Sequence, residues 1–165
     1  MVFMDKYKVR LYLQRSENEL RLARAIFLLS GNEKTKTELE ANPNDTFYSA
    51  TITHSYYSIF YCTKALLLIR GIDTKAPEVH RKTYDLFKEE FIDSGELDLS
   101  LFEIYKESII RANELLNIFS DEKWKRGQFT YQTIAQANIG PARESVENAR
   151  KFIQHISEVI KRKLR

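Results

Sequence analysis

The chain has 165 residues, 43% of them hydrophobic and 30% charged, with a net charge of +3. Those proportions exclude a disordered polyelectrolyte and fit one domain, spanning 1–165, with a single substantial core. The one cysteine, Cys62, excludes an intrachain disulfide framework, and so slight a positive charge does not by itself call for a nucleic-acid partner.

The opening MVFMDKYKVR lacks the apolar region of a signal peptide, and no stretch reads as membrane-spanning, so we expect a cytoplasmic protein. Helical spacing runs from about Asp5 to Leu29, with Val9, Leu13, Leu20, Ala23 and Phe27 near one face, and Ser30-Gly31-Asn32 ends it. EKTKTELEANPND is polar and carries Pro43, which predicts a loop or a short exposed helical turn. Asn44 or Asp45 is then placed to cap the next helix.

That helix, centred on HSYYSIFYCTKALLLIRG, is the most apolar part of the chain. Tyr57, Phe60, Tyr61, Ala65 and Leu68 share a face, and Tyr56, Ile59, Leu66 and Leu67 widen it until the segment is apolar most of the way round. Such a pattern predicts a buried central helix, closed by Gly71 in the left-handed conformation. Pro77 suits the first turn of a short helix reaching about Ile92 and burying Val79, Tyr84, Phe87 and Phe91. Asp93-Ser94-Gly95 breaks the pattern. Asp98 or Ser100 begins a helix striped by Leu101, Ile104, Tyr105, Ser108, Ile109, Ala112, Leu115, Leu116 and Phe119. Periodicity dissolves from Ser120 to Gly127, and Gly140-Pro141 opens a last helix carrying Ala142, Val146, Ala149, Phe152, Ile153, Ile156, Val159 and Ile160. The fold class expected is all-α, an up-and-down four-helix bundle with one additional short helix.

YYSIFYCTKALLLIRGI followed by EVHRKTYDLFKEEFIDSGELD resembles the HEPN-domain proteins, most closely the small prokaryotic UPF0332-like branch. The matching positions are Tyr56-Tyr57, Phe60, Ala65-Leu66-Leu67, Gly71, His80, Phe87, Phe91, Gly95 and Leu97-Asp98. HEPN nucleases commonly carry an Arg followed, after four to six residues, by a His, thought to act together across a symmetric dimer. A neutral imidazole can take the proton of an RNA 2′-hydroxyl, and a guanidinium can stabilise charge on the phosphoryl oxygens. That chemistry requires no metal, and we expect neither a metal nor a cofactor.

The resemblance places this motif at Arg126-Gly-Gln-Phe-Thr-Tyr131, with Thr130 where the branch usually has Asp. Tyr131 stands where a nuclease would have histidine. A phenol titrates near pH ~10, so it is a poor general base, but it can donate a hydrogen bond to phosphate. In some resembling toxin–antitoxin pairs a small nucleotidyltransferase adenylylates a tyrosine near this motif, which makes Tyr131 a candidate acceptor. Arg126 and Tyr131 are accordingly the candidate catalytic pair and, with His80, the candidate ligand-binding residues. His80 is weighed against a capping or solvated role in its short helix. His54 stands where relatives often have Arg. The literal spacing Arg150 to His155 lies well inside the last helix, where residues five apart diverge by about 140°, so we read it as a solvated helix face. Tyr56, Tyr57 and Tyr61 are weighed between base stacking and core packing, with core preferred.

Three functions follow as alternatives. The preferred one is a module that binds nucleotide or RNA and acts with a minimal nucleotidyltransferase partner. The others are a metal-independent ribonuclease toxin working as a homodimer, and a non-catalytic structural dimer. The resemblance, with Trp124, Phe129 and Tyr131, places the expected dimer axis near the end of the helix that Asp98 or Ser100 begins, the fourth in chain order, and the loop after it.

Overall fold

Asp5 starts the first helix by accepting a hydrogen bond from the Lys8 amide at 3.0 Å, which satisfies a donor that the helix itself cannot. From there the computed structural model describes residues 4–116 and 138–165. Helix α1 spans Lys6–Ser30, α2 Glu33–Glu38, α3 Tyr48–Ile69, α4 Val79–Phe87, α5 Leu99–Leu116 and α6 Ile139–Leu164; a π-helical turn, Lys88–Ile92, prolongs α4. Among the described residues there is no strand.

The four long helices run up and down. Glu19 meets His54 and Tyr12 meets Tyr61, so α1 and α3 are antiparallel. Arg111 reaches Pro141 and Ser145 while Tyr105 meets Phe152, so α5 and α6 are antiparallel too. Lys161 pairs with Glu17 and Arg143 lies over Phe27, which sets α6 antiparallel to α1. Helix α3 packs on α1, α4, α5 and α6 and is the centre of the bundle. Its Tyr56, Ile59, Leu66 and Leu67 are fully buried, and Phe60 is 5% exposed. The opposing surfaces supply Phe87, Tyr105, Ile109, Phe152 and Ile156. Each such side chain contributes roughly 1.5–3 kcal/mol of burial.

The end of α3 forms as its glycine dictates. Gly71 takes φ +74°, its amide donates to Leu68 O at 2.9 Å, and the Ile72 amide reaches Leu67 O at 3.1 Å. Those two bonds close the last carbonyls in a Schellman arrangement.

Two helix starts differ from expectation. Neither Asn44 nor Asp45 caps α3, whose N-cap is Phe47 with no side-chain bond. The Asp45 carboxylate is turned back to the Asn42 amide at 2.9 Å, and the Phe47 amide donates to Ser30 Oγ at 2.8 Å. Pro77 lies ahead of α4 after a cis Ala76–Pro77 bond, and Glu78, at φ +55°, is the N-cap. After Asn32 the short helical turn is the outcome realised, as α2. Its Lys36 is not solvated: it is 3% exposed, and its ammonium donates to Ser30 O, Pro43 O and Asp45 O at 3.1, 2.6 and 2.9 Å. All three of its protons are used, and they pin the loop that leads into α3.

Candidate functional site

Helix α1 presents Lys8, Tyr12, Arg15 and Glu19 at spacings that recur on one face. Helix α3 answers in reverse with Lys64, Tyr61, Tyr57 and His54. The two stripes meet as a polar, aromatic seam. At one end His54 Nδ1 lies 2.6 Å from Glu19 Oε2, while Arg15 Nε donates to Glu19 Oε1 at 2.8 Å. Glu19 is 4% exposed, so its carboxylate is buried with both partners in place. In the middle, Tyr12 and Tyr61 stack with ring centres 6.0 Å apart, and Tyr61 stacks on Tyr57 at 6.2 Å. The Arg15 guanidinium sits over Tyr61 at 5.3 Å.

At the other end, Lys8 pairs with Asp73 at 2.6 Å. Lys64 is nearly buried, donates to Thr74 O at 2.7 Å and lies 4.9 Å from the Tyr12 ring centre. Burial lowers the Lys64 pKa against the opposing pull of Asp73. Burial raises the Tyr12 and Tyr57 phenols, so both remain protonated at neutral pH. The backbones of α1 and α3 approach closely because small residues line the contact: Ser16 Oγ donates to Ser58 O at 2.6 Å.

His80 of α4 closes the cluster. It stacks on Phe60 at 4.3 Å and touches Tyr57 edge-on at 6.1 Å. Its Nδ1 is 2.7 Å from the hydroxyl of Tyr56, whose side chain is fully buried. Burial first, and Lys64 second, lower its pKa to about 4. The ring is therefore neutral at pH 7, and with its proton on Nε2 it accepts the Tyr56 O–H at Nδ1. His80 does not cap α4 and is only half exposed. It is a neutral hydrogen-bonding group, not a cation for phosphate.

The tyrosines weighed together in the sequence thus separate. Tyr56 is core, whereas Tyr57 and Tyr61 are half-buried on the seam. Arg126 and Tyr131, with Trp124 and Phe129, lie outside the described residues. Arg150 and His155 are both solvent-exposed, and Arg150 pairs with Glu147 at 3.2 Å. Cys62 is buried with its thiol pushed up to about 12 by desolvation, so it is inert at neutral pH. Among the described residues no group of three or more His, Cys, Asp or Glu gathers to hold a metal, and no helix is long and apolar enough to cross a membrane. The seam was missed in the sequence because Glu19 and His54 are 35 residues apart. The only available signal was the recurrence of polar residues at Lys8, Arg15 and Glu19 on the same face as Tyr12.

An up-and-down helical bundle whose central helix carries a tyrosine pair, one member bonded to a histidine from the next helix, is the frame of this chain. Residues 10–164 match the HEPN domain family, and the chain belongs to it. It is 42% identical over 79 residues to the Methanocaldococcus jannaschii protein named Putative toxin MJ0142. That stretch is 46% of this chain and 52% of the relative, so the chain spans about half the length of the curated relative it matches.

Proposed function

We propose that this chain is a toxin-like HEPN module of the UPF0332-like branch, which binds nucleotide or RNA and acts with a minimal nucleotidyltransferase in a toxin–antitoxin-type pair. The observation that carries the reading is the HEPN match along residues 10–164, supported by likeness to a protein named as a toxin. In this reading Arg126 grips a phosphate through its guanidinium fork. Tyr131 donates a hydrogen bond to the same ligand, and its hydroxyl is the acceptor when the partner transfers a nucleotidyl group and pyrophosphate leaves. His80 supplies a neutral contact nearby or through Tyr57, consistent with its lowered pKa. Two copies of the chain act together, with the end of α5 and the segment after it near the two-fold axis.

The test starts from the reading frame adjacent to this one. A nucleotidyltransferase encoded there, co-expressed with this chain, is expected to add one nucleotidyl group to the wild type and none to Tyr131→Phe, read by intact mass. An unmodified wild-type chain beside an active partner would overturn the reading.

A further inference from the structure

Among the described residues seven large hydrophobic side chains are left exposed, and four of them, Tyr7, Leu11, Leu22 and Leu28, belong to α1. Tyr7 and Leu28 are 77% and 68% exposed. Scattered apolar exposure needs no explanation, but here the spacing is ordered. Alternating steps of four and three lead from Tyr7 through Leu11, Gln14, Asn18, Arg21 and Ala25 to Leu28, and every one of these residues is exposed. That is the spacing of a helix-pairing surface about 32 Å long, apolar at both ends with an asparagine at its middle. The core face of the same helix is a different one, formed by Val9, Leu13, Ser16 and Ala23. Arg10 and Arg24 flank the outer row on one side; both are exposed, and neither has an acidic partner among the described residues. The acid between them on that flank, Glu17, is already paired with Lys161.

We propose that this outer row of α1 docks one amphipathic helix of a different protein, with apolar side chains against its two ends and carboxylates along the edge that meets Arg10 and Arg24. Charge chooses the occupant. A second copy laid antiparallel would set Arg10 against Arg24, and one laid parallel would set Arg10 against Arg15, so like charges meet in either arrangement. The polar middle of Gln14, Asn18 and Arg21 interrupts the continuous apolar stripe with which a helix sinks into a lipid surface. Leucine side chains neither stack on a base as an aromatic ring does nor bond a phosphate, so RNA would leave the ends of the row unused. An acidic helix uses every part: its apolar residues cover Leu11 and Leu28, its carboxylates meet the arginines, and an amide opposite Asn18 fixes the register. Packing of the core face on α3 holds the row in place. The surface is independent of the reading of Arg126 and Tyr131.

The experiment is fluorescence anisotropy of the full chain with two fluorescein-labelled helical peptides, each roughly three heptads long with leucine at the pairing positions and one central asparagine. One peptide carries glutamate on both flanks and the other lysine, so that like charge keeps each from pairing with itself. Wild type is expected to bind the glutamate peptide at least about tenfold more tightly than the lysine peptide at low salt. The double variant Arg10→Glu/Arg24→Glu should reverse that order, and a gain of lysine-peptide binding cannot come from a misfolded chain. Leu11→Ala should weaken the glutamate peptide by about fivefold or more, the loss for truncating one interface anchor. Failure of wild type to bind either peptide would overturn the proposal, as would an order of preference that the double variant leaves unchanged. Two further results would give the row to another occupant and overturn it too. One is sedimentation in which Leu28→Asp turns a dimer into a monomer, which would mean that a second copy covers α1. The other is co-sedimentation of wild type with phosphatidylcholine–phosphatidylglycerol vesicles that Leu11→Ala abolishes while the glutamate peptide fails to compete.

Discussion

Acidification should weaken this bundle through His80, by an amount that can be isolated. In the unfolded chain its imidazole takes a proton near pH 6.5, whereas in the folded state it resists until about pH 4. Between those values the unfolded state binds more protons, so stability falls as pH falls from 6.5 to 4 and is flat again below. Such a shift would correspond to about 3 kcal/mol for an enclosed group. The ring is only half-buried, so solvent screening reduces the expected loss to about 1–2 kcal/mol. A bare pH profile would mix this effect with those of other ionisable groups. The comparison is therefore wild type against His80→Asn, which keeps an acceptor for the Tyr56 hydroxyl but cannot be protonated. Urea denaturation at about pH 7.5, 6, 5 and 4 gives both profiles. The wild-type stability should drop relative to the variant by about 1–2 kcal/mol across the series. Parallel profiles, or an imidazole resonance of His80 titrating above pH ~6, would refute the placement of a neutral ring between Phe60, Tyr57 and Lys64.

Glu19→Ala should destabilise by about 2–4 kcal/mol, because it leaves His54 facing a buried gap, and a double-mutant cycle with His54→Ala should show coupling above ~0.5 kcal/mol; additive effects would deny the pair. Lys36→Met should cost about 2–3 kcal/mol in thermal or urea unfolding, since three carbonyls lose a charged donor, and a neutral result would show that water replaces it. Sedimentation should find a dimer at micromolar concentration, and a monomer there would count against the symmetric arrangement. Wild type should show little metal-independent cleavage of RNA if, as proposed, Tyr131 stands in place of the motif histidine; robust release of 2′,3′-cyclic phosphate ends, abolished by Arg126→Ala, would instead establish a ribonuclease. Loss of such cleavage on His155→Ala but not Arg126→Ala would move the chemistry to α6.

The bundle was legible because its decisive signals are local. Helix α3 announces itself by a stretch so apolar that only the centre of a fold can hold it, and Gly71 marks where it must stop. Helix α6 keeps its period from Ala142 to Ile160, all of it buried but the half-exposed Val159. What escaped the sequence is where polar groups find partners across distance. Nothing local says that Lys36 will be stripped of water by three carbonyls, or that Asp45 will serve a turn instead of a helix. Capping rules pointed to the nearest oxygen-bearing side chain, and a serine seventeen residues earlier took the Phe47 amide instead.

The tyrosine pair shows why one motif can carry two physical duties. Adjacent residues on a helix point about 100° apart, so Tyr56 and Tyr57 cannot both face the core of a bundle. Tyr56 goes inward, where a buried phenol needs a partner, and His80 supplies it at 2.7 Å. That bond in turn fixes the histidine ring against Phe60 and brings its edge to Tyr57. Tyr57 goes outward, and its ring continues the row begun by Tyr12 and Tyr61. The interior thus sets the geometry of the exposed face through one neutral histidine. Tyr56→Phe should accordingly do more than remove a hydrogen bond worth about 1 kcal/mol. With Nδ1 released, His80 is free to turn, and the chemical shifts of Tyr57 should move with it although Tyr57 itself is unchanged. If only residues touching Tyr56 respond, the two faces of α3 are independent and the coupling argued for His80 fails.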